Sequence, residues 1–208
     1  DEIDRPCIVK TPGAKGGWGY KVVKTPEEFY KRVKERDGII IQEYLVGIRV
    51  YPHFFFSPFG KIGYPAGKGK LELMSMDRRV ETNVDELYRT MSVDVWVDPT
   101  FRIVGNEPIV IRESLLSDIF KIGKGVTEAA DKMFGGMPGP FCVELVCNDK
   151  LEMHAFEISA RIVAGTNIFP TGSFYSAYSY NEPMSTGRRI ASEIRAGIGA
   201  SKLDKIIY

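Results

Sequence analysis

The chain has 208 residues, 44% of them hydrophobic, so it is long enough to bury a sizeable core and to fold as a globular unit. Its 28 Lys and Arg residues balance 27 Asp and Glu residues, which gives a formal net charge of +1. This balance excludes a global positive field of the kind that attracts nucleic acid or an anionic membrane, so an anionic ligand must be held by local groups.

Neither a membrane segment nor a disulfide framework is expected. The apolar runs, such as residues 38–41, fall far short of the roughly 20 residues that span a bilayer. The three cysteines form no metal-type cluster, and their odd number without a leader predicts reduced thiols. These features predict a cytoplasmic location.

The N-terminal third is predicted to form a hairpin, a helix and two further strands. The predicted elements are strands at 7–10 and 21–23 joined by a glycine-rich segment, a helix from Thr25 to about Gly38, and strands at 39–44 and 50–56. Thr25 is the expected N-cap of the helix and Pro26 its first residue. Residues 57–70, dense in Gly, Pro and Lys, are predicted to form a loop.

The remainder of the chain is predicted to alternate helices with strands. The predicted elements are helices at 84–91, 115–134 and 187–196, a strand at 101–111, and strands at 141–146 and 151–158 around a turn at 147–150. Together they predict an α+β fold with mostly antiparallel sheets, divided into two lobes, 1–70 and 71–208.

The first motif with chemical meaning is a lysine followed by a glycine-rich loop. Lys10 ends a predicted strand, and Lys15, Gly16 and Gly17 lie in the loop. Glycines let backbone amides approach a polyphosphate closely, and two ammonium groups offset its charge. A flexible hairpin tip with solvated lysines explains the same residues equally well.

The second motif is a buried strand that runs into polar residues. The strand at 39–41 is followed by Gln42, Glu43, Tyr44 and Leu45. Backbone groups just past such a strand can read an adenine edge, with the Gln42 and Glu43 side chains near the amino group. A strand end with a solvent-facing glutamate is the alternative.

The third and strongest motif is a pair of carboxylates on two neighbouring strands. Glu144 and Glu157 are 157 − 144 = 13 positions apart across a predicted hairpin. Side chains at paired positions share one face of the sheet, and paired carboxylates with phosphate oxygens are the usual environment of magnesium. Two exposed glutamates on opposite faces would be the alternative, which their apolar flanks disfavour.

In type and in order, these three motifs resemble the ATP-grasp superfamily. The resemblance implies two α+β lobes that hold ATP: a small lobe, 1–70, with the glycine-rich loop and the adenine-binding hinge, and a large lobe, 71–208, with the metal carboxylates and the acceptor site. Two positions depart from the pattern. Ser159 stands where many members have a metal-binding Asn, and Arg49 where a ribose-binding acid is common. Glu81 is the candidate ribose ligand, with a solvated glutamate as the alternative.

A closer resemblance covers nearly the whole chain. The motifs are KTPGAKGG (10–17), QEY (42–44), YPHF (51–54), DRRVETN (77–83), GNEP (105–108), RESLL (112–116), GPFC (139–142) and FEISARIVAGTN (156–167). They resemble the archaeal formate-dependent FAICAR synthetase family (PurP family). The resemblance implies a purine (IMP) biosynthesis ligase that uses ATP with Mg²⁺ or Mn²⁺ to convert formate into formyl phosphate. The formyl group then passes to the 5-amino group of aminoimidazole carboxamide ribotide.

The resemblance also implies roles for individual residues. Asn106 matches the ribotide-contacting Asn, with a turn residue as the alternative; Arg161 and Arg112 are placed to meet phosphate or formyl phosphate oxygens, with structural ion pairs as alternatives. Lys10 joins Arg161 as a catalytic candidate. His53 and His154 are predicted to be packed core residues.

Two alternative functions remain open, and the sequence also leads to expectations about a missing domain and the oligomeric state. The chain fits an ATP-grasp ligase with a different acceptor, or a nucleotide-binding regulatory paralogue without turnover. The family's N-terminal domain is expected to be absent from this chain. A homo-oligomer is expected, because the aromatic run from Tyr51 to Phe59 suggests an interface, although a core strand explains that run equally well.

Overall fold

The computed structural model describes residues 5–15, 18–34, 37–84 and 100–207. The strands are β1 (Cys7–Lys15), β2 (Trp18–Val23), β3 (Ile40–Glu43), β4 (Ile48–Ser57), β5 (Tyr64–Ala66), β6 (Gly69–Glu81), β7 (Ile103–Pro108), β8 (Gly139–Cys147) and β9 (Met153–Ser159). The helices are α1 (Pro26–Arg32), α2 (Leu116–Phe134), α3 (Phe174–Tyr180) and α4 (Thr186–Gly199), with 3-10 turns at Glu113–Leu115, Ala164–Ile168 and Leu203–Lys205. Nearly all of the helix predicted at 84–91 lies outside the described residues.

Backbone contacts divide the chain into two units. The first is Asp1–Val46 with Arg79–Gly105, and the second is Gly47–Arg78 with Asn106–Tyr208. This division differs from the predicted boundary near residue 70, because β4 and β5 group with the C-terminal half. None of the described helices is long and apolar enough to cross a membrane.

The first unit contains a three-stranded antiparallel sheet in the order β2-β1-β3. Its buried core consists of Cys7, Val9, Val23 and Val33, against which Phe29 of α1 packs. The predicted cap of α1 is confirmed: the Thr25 hydroxyl accepts a hydrogen bond from the Glu28 amide at 3.2 Å, and Pro26 is at the start of the helix. The helix ends at Arg32, earlier than predicted.

The second unit is organised around a six-stranded sheet with the order β5-β6-β4-β8-β9, in which β7 also pairs with β6. One face of this sheet is apolar and packs against α2 through Ile119 and its neighbours. Phe54 of β4 and Phe141 of β8 stack on this face with ring centroids 5.3 Å apart. Because Tyr51, Phe54 and Phe55 are buried, the aromatic run belongs to the core and is not the interface considered from the sequence.

The opposite face of the sheet carries buried polar side chains, which we call the polar face. Its members are His53 and Ser57 of β4, Glu72 and Asp77 of β6, and Glu144 of β8, all of them buried. β6 was not predicted from the sequence, and the segment predicted to be a loop, 57–70, contains β5. The charged residues of β6 are the reason, since the segment lacks the regular apolar alternation of a half-buried strand.

Arg189 attaches α4 to the polar face. Its Nη2 donates to Glu72 Oε1 at 2.7 Å, and its Nη1 donates to Glu193 Oε2 at 2.8 Å. The guanidinium also stacks over the Phe55 ring, 4.2 Å from the centroid. Burial opposes the charge of Arg189, but the hydrogen bond and charge of Glu72 and the hydrogen bond of Glu193 outweigh it and raise the guanidinium pKa. The arginine is therefore permanently charged and fully engaged.

Glu72 is shared between two helices. Besides its contact with Arg189 of α4, it accepts a hydrogen bond from the Tyr180 hydroxyl at the end of α3. Burial, together with the bond to Glu72 and its charge, raises the pKa of the Tyr180 phenol well above its usual range. The phenol consequently remains a hydrogen-bond donor at physiological pH.

Replacing Arg189 by Met should destabilise the protein strongly. Arg189→Met leaves Glu72 and Glu193 as buried carboxylates without their cation, which costs about 3–5 kcal/mol of unfolding free energy. The neighbouring Arg188→Met is the matched control, because Arg188 forms an exposed ion pair with Glu182 and should change the free energy by about 0–1 kcal/mol. Urea unfolding of both variants measures the difference, and equal losses would contradict this account of α4.

Gly165 should not tolerate a side chain. A Cβ on this residue would clash with Asp77 Oδ1, because the turn at Ala164–Ile168 rests directly on that carboxylate. Gly165→Ala should therefore cost about 1–3 kcal/mol through overpacking. Gly125→Ala in α2 is the control: nothing lies within 4 Å of its Cβ position, and it should be stabilising by about 0.5–1 kcal/mol. Thermal unfolding tests both, and a neutral Gly165→Ala would show that the turn is not packed as described.

Candidate active site

The two predicted metal-binding carboxylates face each other across β8 and β9. Glu144 and Glu157 are directly opposite in the antiparallel register, and the next pair along, Leu145 and Ala155, leaves Phe156 as the extra residue of a β-bulge. Glu144 is 7% exposed and Glu157 is half-buried. The alternative of two exposed glutamates on opposite faces is therefore wrong.

The donor set at this pair fits a hard divalent cation. Mg²⁺ is usually held by one or two carboxylates and completed by phosphate oxygens and water. Among the described residues, no group of three or more His, Cys, Asp or Glu side chains is placed to hold a metal ion. Ser159 lies two residues beyond Glu157, opposite Cys142, and supplies a hydroxyl where the family pattern has an amide. Within the described residues, this pair would therefore supply two charged ligands to such a cation.

The pair lies in a row of polar and aromatic residues that crosses the sheet. In the β4–β8 register, Tyr51 falls opposite Glu144, and Tyr51 is also paired with Asp77 of β6. Two strand spacings separate Asp77 from Glu144, which is roughly 10 Å. Asn106 joins this row, because its Nδ2 donates to Asp77 Oδ2 at 2.7 Å. The sheet thus brings the predicted ribotide ligand and the carboxylate pair to one face.

Asp77 is a polar residue of the site whose role was not predicted from the sequence. It is fully buried, and its Oδ1 lies 2.5 Å from His53 Nε2. His53 is buried as predicted, but its partner is a carboxylate rather than an apolar surface. His154 contradicts its prediction, since its side chain is 40% exposed. Asn106 lies in β7, so the interpretation of this residue as a turn is also wrong.

The predicted phosphate-binding residues lie in the first unit. Lys10 of β1 is paired with Tyr20 and Ile40, and its Nζ is 5.5 Å from the centroid of the Tyr20 ring. β1 continues to Lys15 and β2 begins at Trp18, so the hairpin is longer than predicted. Gly16 and Gly17, and the side chain of Lys15, lie outside the described part of the chain.

The predicted adenine-binding segment begins with the last two residues of β3 and continues past its end, and β3 is mostly exposed rather than buried as predicted. Glu43 Oε1 accepts a hydrogen bond from Arg5 Nη1 at 3.3 Å, and the Tyr44 amide donates to the Pro6 carbonyl at 3.1 Å. Because the Tyr44 N–H already donates to Pro6, an adenine would have to form hydrogen bonds with other groups of the segment. Gln42 and Leu45 are both half-buried at this edge.

The remaining candidates differ in exposure. Glu81, at the end of β6, is only 5% exposed, so the alternative of a solvated glutamate is wrong. Arg161 is exposed, and its Nη1 donates to the Ile162 carbonyl at 2.9 Å. Arg112 is exposed at the start of the Glu113–Leu115 turn, and Arg49 lies over the Phe156 ring, 5.6 Å from its centroid. The roles assigned to these residues stay predictions.

Comparison with solved structures confirms the predicted α+β ATP-grasp fold. The crystal structure of an IMP biosynthesis protein PurP from Thermococcus kodakaraensis superposes with a TM-score of 0.67 at 25% identity, over 99% of this chain and 64% of that chain. A crystal structure from Archaeoglobus fulgidus that is assigned to the ATP-grasp superfamily gives a TM-score of 0.52 at 17% identity, over 92% of this chain and 45% of that chain.

Sequence comparison supports the same relationship. A protein of Methanococcoides burtonii named 5-formaminoimidazole-4-carboxamide-1-(beta)-D-ribofuranosyl 5'-monophosphate synthetase is 49% identical over 211 residues. The alignment covers 100% of this chain and 59% of the relative, so the chain spans about three fifths of that protein's length. The resemblance to the FAICAR synthetases is thereby confirmed. A family model described as "Domain of unknown function (DUF1297)" matches residues 24–208, and the chain therefore belongs to this family.

Proposed function

We propose that the protein takes part in an ATP-dependent ligase reaction that attaches formate to the 5-amino group of 5-aminoimidazole-4-carboxamide ribotide. The observation that carries the proposal is the polar face of the sheet, where the directly opposed Glu144 and Glu157 lie in the same row as the bonded Asn106 and Asp77. A carboxylate pair suited to a metal and an amide suited to an acceptor are two of the sites that such a ligase needs. The 49% identical relative is named for the same product.

The proposed chemistry has two steps. A formate oxygen attacks the γ-phosphorus of ATP, the bond to the leaving ADP breaks, and formyl phosphate forms. The 5-amino group then attacks the formyl carbon, loses a proton, and phosphate leaves. Neither step needs a covalent bond to the protein, so its residues contribute position and charge.

We assign the side chains to these steps as follows. Glu144 and Glu157 hold Mg²⁺ or Mn²⁺, which supplies charge for the phosphoryl oxygens when it is bound. The ATP phosphates are held by Lys10, Lys15, Gly16 and Gly17. The adenine is held by the segment from Gln42 to Leu45, and the ribose is held by Glu81. Arg161 and Arg112 offset charge on the transferred groups, and Arg161 and Lys10 are the catalytic candidates.

We further propose that the substrates are the only partners that this site requires. The nearly balanced charge supports small-molecule substrates over nucleic acid or a membrane surface. A homo-oligomeric state and a cytoplasmic location complete the proposal. Size-exclusion chromatography with light scattering addresses the oligomeric state directly.

The decisive experiment measures ADP release by the full-length protein. Formate and the ribotide are each omitted in turn, and Glu144→Gln is compared with Glu152→Gln. We expect release only with both substrates, and a loss of about 100-fold or more in Glu144→Gln, because a neutral amide weakens the metal site. Glu152, exposed at the tip of the β8–β9 hairpin, is the matched control and should retain activity.

The other outcomes identify the alternatives. Release that depends on formate but is indifferent to the ribotide would indicate a ligase with another acceptor. Tight binding of magnesium and ATP without any release would indicate a regulatory paralogue. Equal activity of the two glutamine variants would remove Glu144 from the metal site.

A further inference from the structure

Asp77 is held by three separate elements of the second unit. Its Oδ1 meets His53 of β4 at 2.5 Å, and its Oδ2 accepts a hydrogen bond from Asn106 of β7 at 2.7 Å. The backbone of Gly165 approaches so closely that a Cβ there would clash with Oδ1. The carboxylate is fully buried, so these contacts leave it little freedom to move.

The chemistry of a carboxylate fixes the orientation of the amide beside it. An ionised carboxylate only accepts hydrogen bonds, whereas an Asn amide has a donating nitrogen and an accepting oxygen. With Asp77 as the partner, Asn106 must turn its Nδ2 towards the carboxylate, because its Oδ1 would meet a second acceptor. The Asn106 oxygen is then directed away from Asp77.

We propose that Asp77, steadied by His53, is a positioning residue that determines which acceptor the site recognises. By fixing Asn106, it makes the amide present a hydrogen-bond acceptor, so the matching group on the substrate is an N–H donor. The carboxamide nitrogen of the ribotide provides such a donor. In a ribotide analogue with a carboxylate in place of the carboxamide, a carboxylate oxygen would face the Asn106 oxygen. Because both atoms are hydrogen-bond acceptors, the site would bind this analogue poorly. This inference rests on the proposed function.

The first test is Asp77→Asn in the full-length protein. The amide that this substitution introduces has a single oxygen, and when that oxygen faces His53 its nitrogen faces Asn106, so Asn106 is no longer held with its Nδ2 inward. We expect the KM for the ribotide to rise about tenfold, the loss of one well-placed hydrogen bond, while kcat and the KM values for ATP and formate change less than about twofold. Discrimination against the carboxylate analogue should fall by a similar factor.

The second test exchanges the two side chains. Asn106→Asp alone places a half-buried carboxylate against the buried carboxylate of Asp77, which raises the KM for the ribotide and lowers the thermal midpoint. In the double variant Asp77→Asn/Asn106→Asp, the amide at position 77 can accept from His53 and donate to the carboxylate at position 106, whose other oxygen again presents an acceptor. We expect the double variant to recover at least about fivefold in KM relative to each single variant, with a higher thermal midpoint than Asn106→Asp.

The outcomes separate this inference from the proposed function. Asp118→Asn, at an exposed ion pair with Lys121 on α2, is the matched control and should leave all constants unchanged. An unchanged ribotide KM in Asp77→Asn, equal changes in all three KM values, or a double variant no better than the single ones would overturn the inference. A wild-type protein that releases no ADP with the ribotide would instead sink the proposed function. The proposed role of Asp77 in recognising the ribotide would then be rejected as well. The thermal midpoints of the variants would still test whether position 106 donates the hydrogen bond and position 77 accepts it.

Discussion

The burial of charged side chains on one face of the six-stranded sheet is the constraint on which the second unit depends. A buried charge costs several kcal/mol unless a partner and hydrogen bonds compensate it, so each must be matched within the fold. Glu72 is matched by Arg189, which fixes α4, and Asp77 is matched by His53 and Asn106, which ties β7 to the sheet. The positions of these elements therefore follow from the pairing of charges as much as from apolar packing.

The polar face has two regions along its strands, one that supports the helices and one that contains the candidate site. Near Ser57 and Glu72 the polar groups satisfy one another and support α3 and α4. Near Tyr51 the row from Asp77 to Glu157 contains the groups assigned to the acceptor and the metal. The apolar face packs on α2 and is common to both regions. A rigid sheet can thus hold the candidate site in place because its other face is an ordinary hydrophobic core.

Local patterns could be predicted from the sequence, and contacts between distant residues could not. The β8–β9 hairpin and the pairing of Glu144 with Glu157 were predictable, because apolar runs flank a short polar turn. The cap at Thr25 was predictable for a similarly local reason. β6 was missed since its charges resemble those of a surface segment until their partners are known. His53, Asp77 and Asn106 are far apart in the chain, and only the strand register brings them together.

The β-bulge at Phe156 affects how relatives of different length should be aligned. Between the pair Cys147–Met153 and the pair Glu144–Glu157, β9 has three residues and β8 has two. A relative that lacks one residue on the β9 side would lose the bulge and keep the carboxylates opposed, whereas a deletion on the β8 side would turn Glu144 to the apolar face. Gaps in this hairpin accordingly belong at its tip or among the three β9 residues, and an alignment that places one between Glu144 and Cys147 of β8 separates the two carboxylates.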